Sequence, residues 1–244
     1  MLVGIKKTMK RAVILSVAIV GATALGLCGT AFGQTTYSNV QKSRWESCTS
    51  CAGMGGNGPT AKISQAVGVK SPSMTGAASA FSLSGSTAYS DALWWKQLGA
   101  KPNAKNFKYD VYFYIKNAAA AQALEFDVNQ SVNGLKYIFG TECSIKSTGT
   151  WHVWSSAKKW QNTSIPCHAP APYQWHHLVE QFQRVGNMVK FVSITLDGKT
   201  SYVNRSYAAQ KSGAKELNVA FQMDGNKTMT AYQTWLDKVT LTAW

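Results

Sequence analysis

From Asn106 to the end of the chain, one run after another alternates apolar and polar side chains, and short Asn- or Gly-containing breaks separate the runs. F-K-Y-D-V-Y-F-Y-I (107–115), A-L-E-F-D-V-N-Q (123–130) and L-K-Y-I-F-G-T-E (135–142) come first. H-L-V-E-Q-F-Q-R-V (177–185), M-V-K-F-V-S-I-T-L (188–196), L-N-V-A-F-Q-M-D (217–224) and W-L-D-K-V-T-L-T-A-W (235–244) follow. A period of two is the mark of strands with one face on a core. The first three runs read as an antiparallel meander, and G-N at 186–187 and D-G at 197–198 stand where hairpins turn. Shorter strands fit 61–69, 78–83 and W-H-V-W at 151–154, while Ala118–Ala121 is too short to stand as a helix. There is no internal repeat. The pattern predicts an all-β chain folded as an antiparallel β-sandwich, or jelly roll.

Ahead of the strands lies an export signal. Lys6, Lys7, Lys10 and Arg11 precede the apolar run Ala12 to Leu27, and A-F-G at 31–33 offers small residues to a signal peptidase. The run is short for a bilayer span, which needs roughly 20 residues. Leu27 stands where a lipoprotein anchored at Cys28 would want a small residue. Residues 1–33 are therefore read as a leader cleaved near Gly33, with no membrane anchor afterwards and a secreted or periplasmic product. Residues 34–59 form a Cys/Gly-rich N-terminal segment and 60–244 the sandwich domain. Removing the leader's four basic residues lowers the formal net charge from +14 to +10. The remaining lysines are scattered and no arginine-rich run is present, so nucleic acid is not an expected partner.

Cys48, Cys51, Cys143 and Cys167 remain, an even number suited to two disulfides in an exported chain. Three pairings are open; Cys48–Cys51 with Cys143–Cys167 is favoured, because the second closes a loop-rich excursion. C-T-S-C is followed by A-G-M-G-G-N-G-P, which is loop and not the helix a redox motif requires. The same glycines lack the G-K-[S/T] ending of a phosphate loop.

W-H-H-L at 175–178, a strand ending Q-R-V-G-N, and V-K-F-V-S-I-T-L-D-G-K together resemble the concanavalin A-like lectin/glucanase (laminin-G-like) superfamily over about residues 60 to 244. Within it, E-F-D-V-N-Q is similar to the E-x-D-x-x-E strand of family-16 glycoside hydrolases. The resemblance places Glu125 at the nucleophile, Asp127 at the assisting carboxylate and Gln130 where the acid/base glutamate belongs. In a regular strand 125 and 130 face opposite ways, so a bulge brings in Gln130 and its absence brings in Asn129. Both are amides, and neither can protonate a leaving sugar oxygen. Asp110 and Glu142 are the nearest acids a neighbouring strand could supply.

Alternation places Glu125, Asp127 and Asn129 on one face, about 7 Å apart in steps of two residues. Tyr112 and Tyr114 share a face with Asp110, and His152 shares one with Trp154. Together these would line a concave, aromatic and polar sheet suited to sugar rings and hydroxyls. The expectation is a secreted polysaccharide-binding sandwich that does not catalyse. A divergent glycoside hydrolase or polysaccharide lyase, and an extracellular adhesion module, are the alternatives. The lyase reading has little to rest on, since R-W-E-S-C at 44–48 lacks the second arginine of an R-x-E-x-R strand. His152, His168, His176 and His177 are too dispersed for a metal site. No cofactor is expected; calcium is implied only by the resemblance, without an Asp-rich loop to hold it.

Overall fold

The structure, a computed structural model, describes residues 33–49 and 61–244. The expected leader up to Phe32, the glycine cluster at 53–58 and the Cys51 half of the Cys48–Cys51 pair lie outside the described residues. Sixteen strands, numbered in chain order, form two antiparallel sheets among those residues. The first sheet runs β13 (Lys199–Ala208), β12 (Met188–Leu196), β11 (Trp175–Val185), β6 (Asn106–Ile115), β16 (Tyr232–Ala243), β4 (Ala78–Ser84) and β3 (Lys62–Val69). A short β1 (Thr35–Tyr37) also joins β16. The second runs β10 (Lys159–Pro166), β9 (Thr150–Ser155), β8 (Leu135–Ser144), β7 (Ala121–Val132), β15 (Glu216–Gly225), β5 (Asp91–Gln97) and β2 (Glu46–Cys48), with β14 (Gln210–Lys211) on β8. The segment before residue 60 thus supplies strands to both sheets.

The alternation of β6 is realised residue by residue: Phe107, Tyr109, Val111, Phe113 and Ile115 are buried and the residues between them are not. Facing them from β7 are Leu124, Phe126 and Val128, and the aromatic rings interlock across the sheets. Phe113 meets Phe126 at 5.4 Å between centroids and Phe107 meets Phe139 at 5.3 Å, while within the second sheet Phe126 meets Phe221 at 5.3 Å. This seam is the hydrophobic core that fixes both sheets face to face.

Two turns close hairpins with positive φ. Asp197 and Gly198 have φ of 49° and 81° between β12 and β13, and Asn133 and Gly134 have 53° and 77° between β7 and β8. Two consecutive positive φ values match the twist of paired strands, and Asn, Asp and Gly adopt them at least cost. The expected meander is corrected at one point. β7 and β8 pair with each other, but β6 pairs with β11 and β16 in the other sheet. The alanine-rich stretch, with its short 3-10 turn Ala118–Ala120, carries the chain from one sheet to the other instead of reversing it.

The Cys143–Cys167 disulfide forms as expected, with a Cα–Cα distance of 5.5 Å and a sequence separation of 24. It fastens the end of β8 to the segment that follows β10.

Candidate functional site

The outer face of the second sheet is organised by strand register into rows. In one row Gln222 on β15, Glu125 on β7, Glu142 on β8 and His152 on β9 are successive cross-strand neighbours. In an adjacent row Asp224 stands opposite Asp91 on β5. On the other side Asp127 lies between Ala220 and Gly140, with Trp95 beyond Ala220 and Trp154, paired to Trp160, beyond Gly140. Gly140 is required there: a Cβ would come within 3.1 Å of the Trp154 Cβ and 3.3 Å of Asp127 Oδ1.

Cross-strand neighbours bring their Cβ atoms to within about 5 Å, so the acids converge. Carboxylate oxygens of Glu125, Glu142 and Asp224 lie within 4.8 Å of one another. They open onto a cleft of about 440 Å³ walled also by Asp91, His152 and Trp160. The Gln222 side-chain amide donates to Glu125 Oε1 and, at 2.9 Å, to Asp224 Oδ1. Asp127 Oδ1 accepts the Thr141 N–H at 3.2 Å.

Burial controls the protonation of this group. It raises Glu125 well above the ordinary carboxylate range, and the neighbouring Asp224, Asp127, Glu142 and Asp91 raise it further. Asp224 is raised in the same way, by burial and then by Asp91 and Glu142. Burial pushes Glu142 up to about 7, with a Ser144 hydrogen bond pulling back. Asp91 reaches about 7 through burial and Glu142, and Asp127 about 7 through burial opposed by the Thr141 N–H and Lys136. Burial lowers His152. The 3.5 Å approach of His152 Nδ1 to Glu142 Oε1 is accordingly no ion pair at neutral pH, since burial favours the neutral imidazole. The cluster holds protons that isolated carboxylates would have released, which is the condition of a general acid at neutral pH.

Calcium takes six to eight oxygen ligands. Among the described residues Glu125, Glu142 and Asp224 are the oxygen donors grouped closely enough to hold a cation, and the Gln222 amide presents N–H donors to two of them.

Of the residues expected at the site, Glu125, Asp127, Asn129, His152 and Trp154 share this outer face. Asn129 is bonded to Asn218 at 3.1 Å, two residues further along β7 from Asp127. Gln130 is elsewhere. The β7–β8 register is unbroken from Leu124 to Val132, with no bulge, so Gln130 turns inward. Its amide donates to the carbonyls of Lys101 at 2.7 Å and Ala104 at 3.1 Å. Tyr112 and Tyr114 are corrected as well. β6 belongs to the first sheet, and these tyrosines point away from the core on its far side, with Asp110. There Tyr112 stacks on His177 at 4.0 Å and His177 Nε2 meets Asp110 Oδ1 at 2.9 Å. Of the two acids considered on neighbouring strands, Glu142 is brought to Glu125 and Asp110 is not.

Asp91, Asp224 and Gln222 were not anticipated. For Asp224 and Gln222 the signal was available: both have the parity opposite to Phe221 and Met223, which face the core. Nothing in the sequence could have said that β5 lies beside β15.

No protein-family model and no curated protein matches the sequence. Solved structures do match in shape. The cellulose induced protein Cip1 aligns with a TM-score of 0.50 at 5% identity, over 81% of this chain and 90% of that one. The fold is a concanavalin A-like β-sandwich. An alginate lyase, Aly36B, aligns with a TM-score of 0.49 at 10% identity over 84% of this chain and 97% of its own. An endo-β-1,4-glucuronan lyase from the fungus Trichoderma reesei aligns at 0.45 and 13% identity, over 74% and 86%.

Proposed function

We propose that this sandwich is an exported glycoside hydrolase that cuts a polysaccharide in the acidic cleft. The observation that carries the reading is the position of Glu142, directly opposite Glu125 on the adjacent strand. Gln130 in place of an acid is the ground for expecting a surface that only binds. Glu142 removes that ground, because it supplies the second carboxyl from β8.

Retaining hydrolysis uses two carboxyl groups about 5–5.5 Å apart, one protonated and one ionised. Glu125 and Glu142 have carboxylate oxygens within 4.8 Å of each other. Burial and four neighbouring acids raise Glu125 well above the ordinary carboxylate range, and we assign it the acid toward the leaving oxygen. Glu142, raised to about 7 by burial, is assigned the nucleophile. This exchanges the role that the family-16 resemblance gives Glu125. Trp160 beside the acids, and Trp95 beyond Ala220, offer flat faces for neighbouring sugar rings. A lyase reading is less well supported, since β-elimination from a uronate calls for a cation against its carboxylate and no lysine or arginine lines the cleft among the described residues. Export is supported by the leader and by the Cys143–Cys167 disulfide.

The test is release of new reducing ends from a panel of neutral, basic and acidic glycans by the 34–244 protein. We expect release from at least one glycan, and its loss by about 100-fold or more in both Glu125→Gln and Glu142→Gln. Retention of a glycan in affinity electrophoresis without any reducing ends would establish a binding protein and end the hydrolase proposal.

A further inference from the structure

We propose that the cleft selects a glycan bearing free amino groups, in which a sugar ammonium enters beside Asp91. This rests on the reading that a glycan occupies the cleft, and it names which class.

The chain as a whole is strongly basic, with formal net charge +14, yet the cleft wall holds four carboxyls and, among the described residues, no lysine or arginine. Its one histidine is kept neutral by burial. The cations close by are engaged elsewhere: Lys136 Nζ is 3.7 Å from Glu216 Oε1, and Lys159 Nζ sits over the Trp154 ring at 5.4 Å. A uronate or sulfate would therefore bring an anion into a cleft with no cation to receive it, whereas an ammonium would favour the ionised form of its acids. A neutral sugar could give hydroxyl hydrogens but no charge.

The second observation is Asp91 itself. It is 6% exposed, faces the cleft, and finds no hydrogen-bond partner among the described residues. Buried carboxyl groups ordinarily are hydrogen-bonded. Asp237, comparably buried on the first sheet, accepts from Gln41, Ser73, Met74, both the N–H and hydroxyl of Thr75, and Lys238. Glu125 and Asp224 already receive the Gln222 amide and Glu142 a Ser144 hydrogen bond, so Asp91 is the cleft carboxyl without a protein donor among the described residues. An ammonium brings N–H donors to that unpartnered acceptor and a positive charge that favours its ionised form.

The experiment is calorimetric titration of the 34–244 protein with β-linked glucosamine oligomers and, separately, their N-acetylated counterparts, at about physiological salt. The two oligomers have equal length and linkage, and only the first carries the amino charge. We expect the free amine to bind about tenfold or more tightly, and Asp91→Asn to bring the two within about threefold. The protein's own positive charge opposes this preference, so a result in its favour cannot come from the general surface. Equal binding, preference for the acetylated oligomer, or no binding of either overturns the proposal. So does tighter binding of glucuronic acid oligomers. Calcium chloride that binds the protein without sugar and abolishes amine binding would make the cluster a metal site and overturn it as well. The wild-type comparison stands even if the Asn variant fails to fold. Failure of the hydrolase reading appears separately, as an intact amine preference with no reducing ends from any glycan.

Discussion

At the scale of single residues, protonation is the property that turns a strand face into a candidate active site. Glu125 and Glu142 are chemically identical, and their environments separate them. An activated aryl glycoside needs no proton at its leaving group, so Glu125→Gln should retain most of its kcat/KM, which reports the first step, while Glu142→Gln loses activity on every substrate. The same rate loss in both variants on the aryl substrate would contradict the roles assigned. Glu180 offers a second case, inside the core. Thr141 Oγ1 lies 2.7 Å from the Phe126 carbonyl and 2.5 Å from Glu180 Oε1. One hydroxyl hydrogen cannot serve two acceptors, so Thr141 donates to the carbonyl and a protonated Glu180 donates to Thr141. Burial raises Glu180 well above the ordinary range, in agreement. Glu180→Gln can donate the same bond and should cost at most about 1 kcal/mol at neutral pH, whereas Glu180→Ala should cost about 2–4 kcal/mol by chemical denaturation. Equal losses would mean that the bond is not the one described.

At the scale of elements, how legible the sequence was depends on what each strand faces. β6, β7, β11 and β16 have a core on one side, so their alternation was plain. The first sheet's β13 was missed because it is an edge strand whose residues are exposed or half-buried throughout, leaving no apolar face to read. β5 was missed because D-A-L-W-W-K puts apolar rings on both faces: Trp94 enters the core and Trp95 the outer row. The candidate site was half legible for the same reason. Parity showed Glu125, Asp127 and Asn129 together, but the order of strands in a sheet is a long-range fact. It alone decides that Glu142, Asp224 and Asp91 join them while Tyr112 and Tyr114 do not. The disulfide belongs to this scale, since it secures β8 one residue beyond Glu142. Closing a loop of this length is worth about 3.5 kcal/mol through the unfolded chain. Cys143→Ser with Cys167→Ser should lower stability by about 2–4 kcal/mol in urea titration, and activity should fall more steeply than the folded fraction, because Glu142 loses its fixed neighbour. Unchanged activity in the folded double variant would detach the disulfide from the site.

The molecule as a whole carries a conflict between folding and the cleft. Burial, helped at Asp91 and Asp127 by Glu142, holds Asp91, Asp127 and Glu142 at about 7, so the folded state keeps protons that the unfolded chain has already lost. Stability from these groups is fully present below about pH 4 and is lost as pH rises through 7. Asp237 works in the opposite sense. Against the upward push of burial, donors from Ser73, Thr75 and Met74 hold it below the ordinary range, so its contribution is lost only as pH falls. The melting temperature should therefore be highest in mild acid, near pH 4, and decline as pH rises to about 7. Asp91→Asn and Glu142→Gln should each flatten that decline and gain on the order of 1–2 kcal/mol at about pH 8. A melting temperature that rises across the same range, or a decline that neither variant changes, would place the protons elsewhere.

The arrangement stands or falls on two adjacent carboxyls that hold their protons differently. Carbon-13 NMR of protein labelled at the glutamate carboxyl carbon measures this directly, with Glu125→Gln and Glu142→Gln assigning the two signals. The Glu125 signal should titrate well above the ordinary carboxylate range, and the Glu142 signal near 7. Both signals titrating together at about pH 4 to 5, as free carboxylates do, would contradict the paired acid and base at the centre of the proposed cleft.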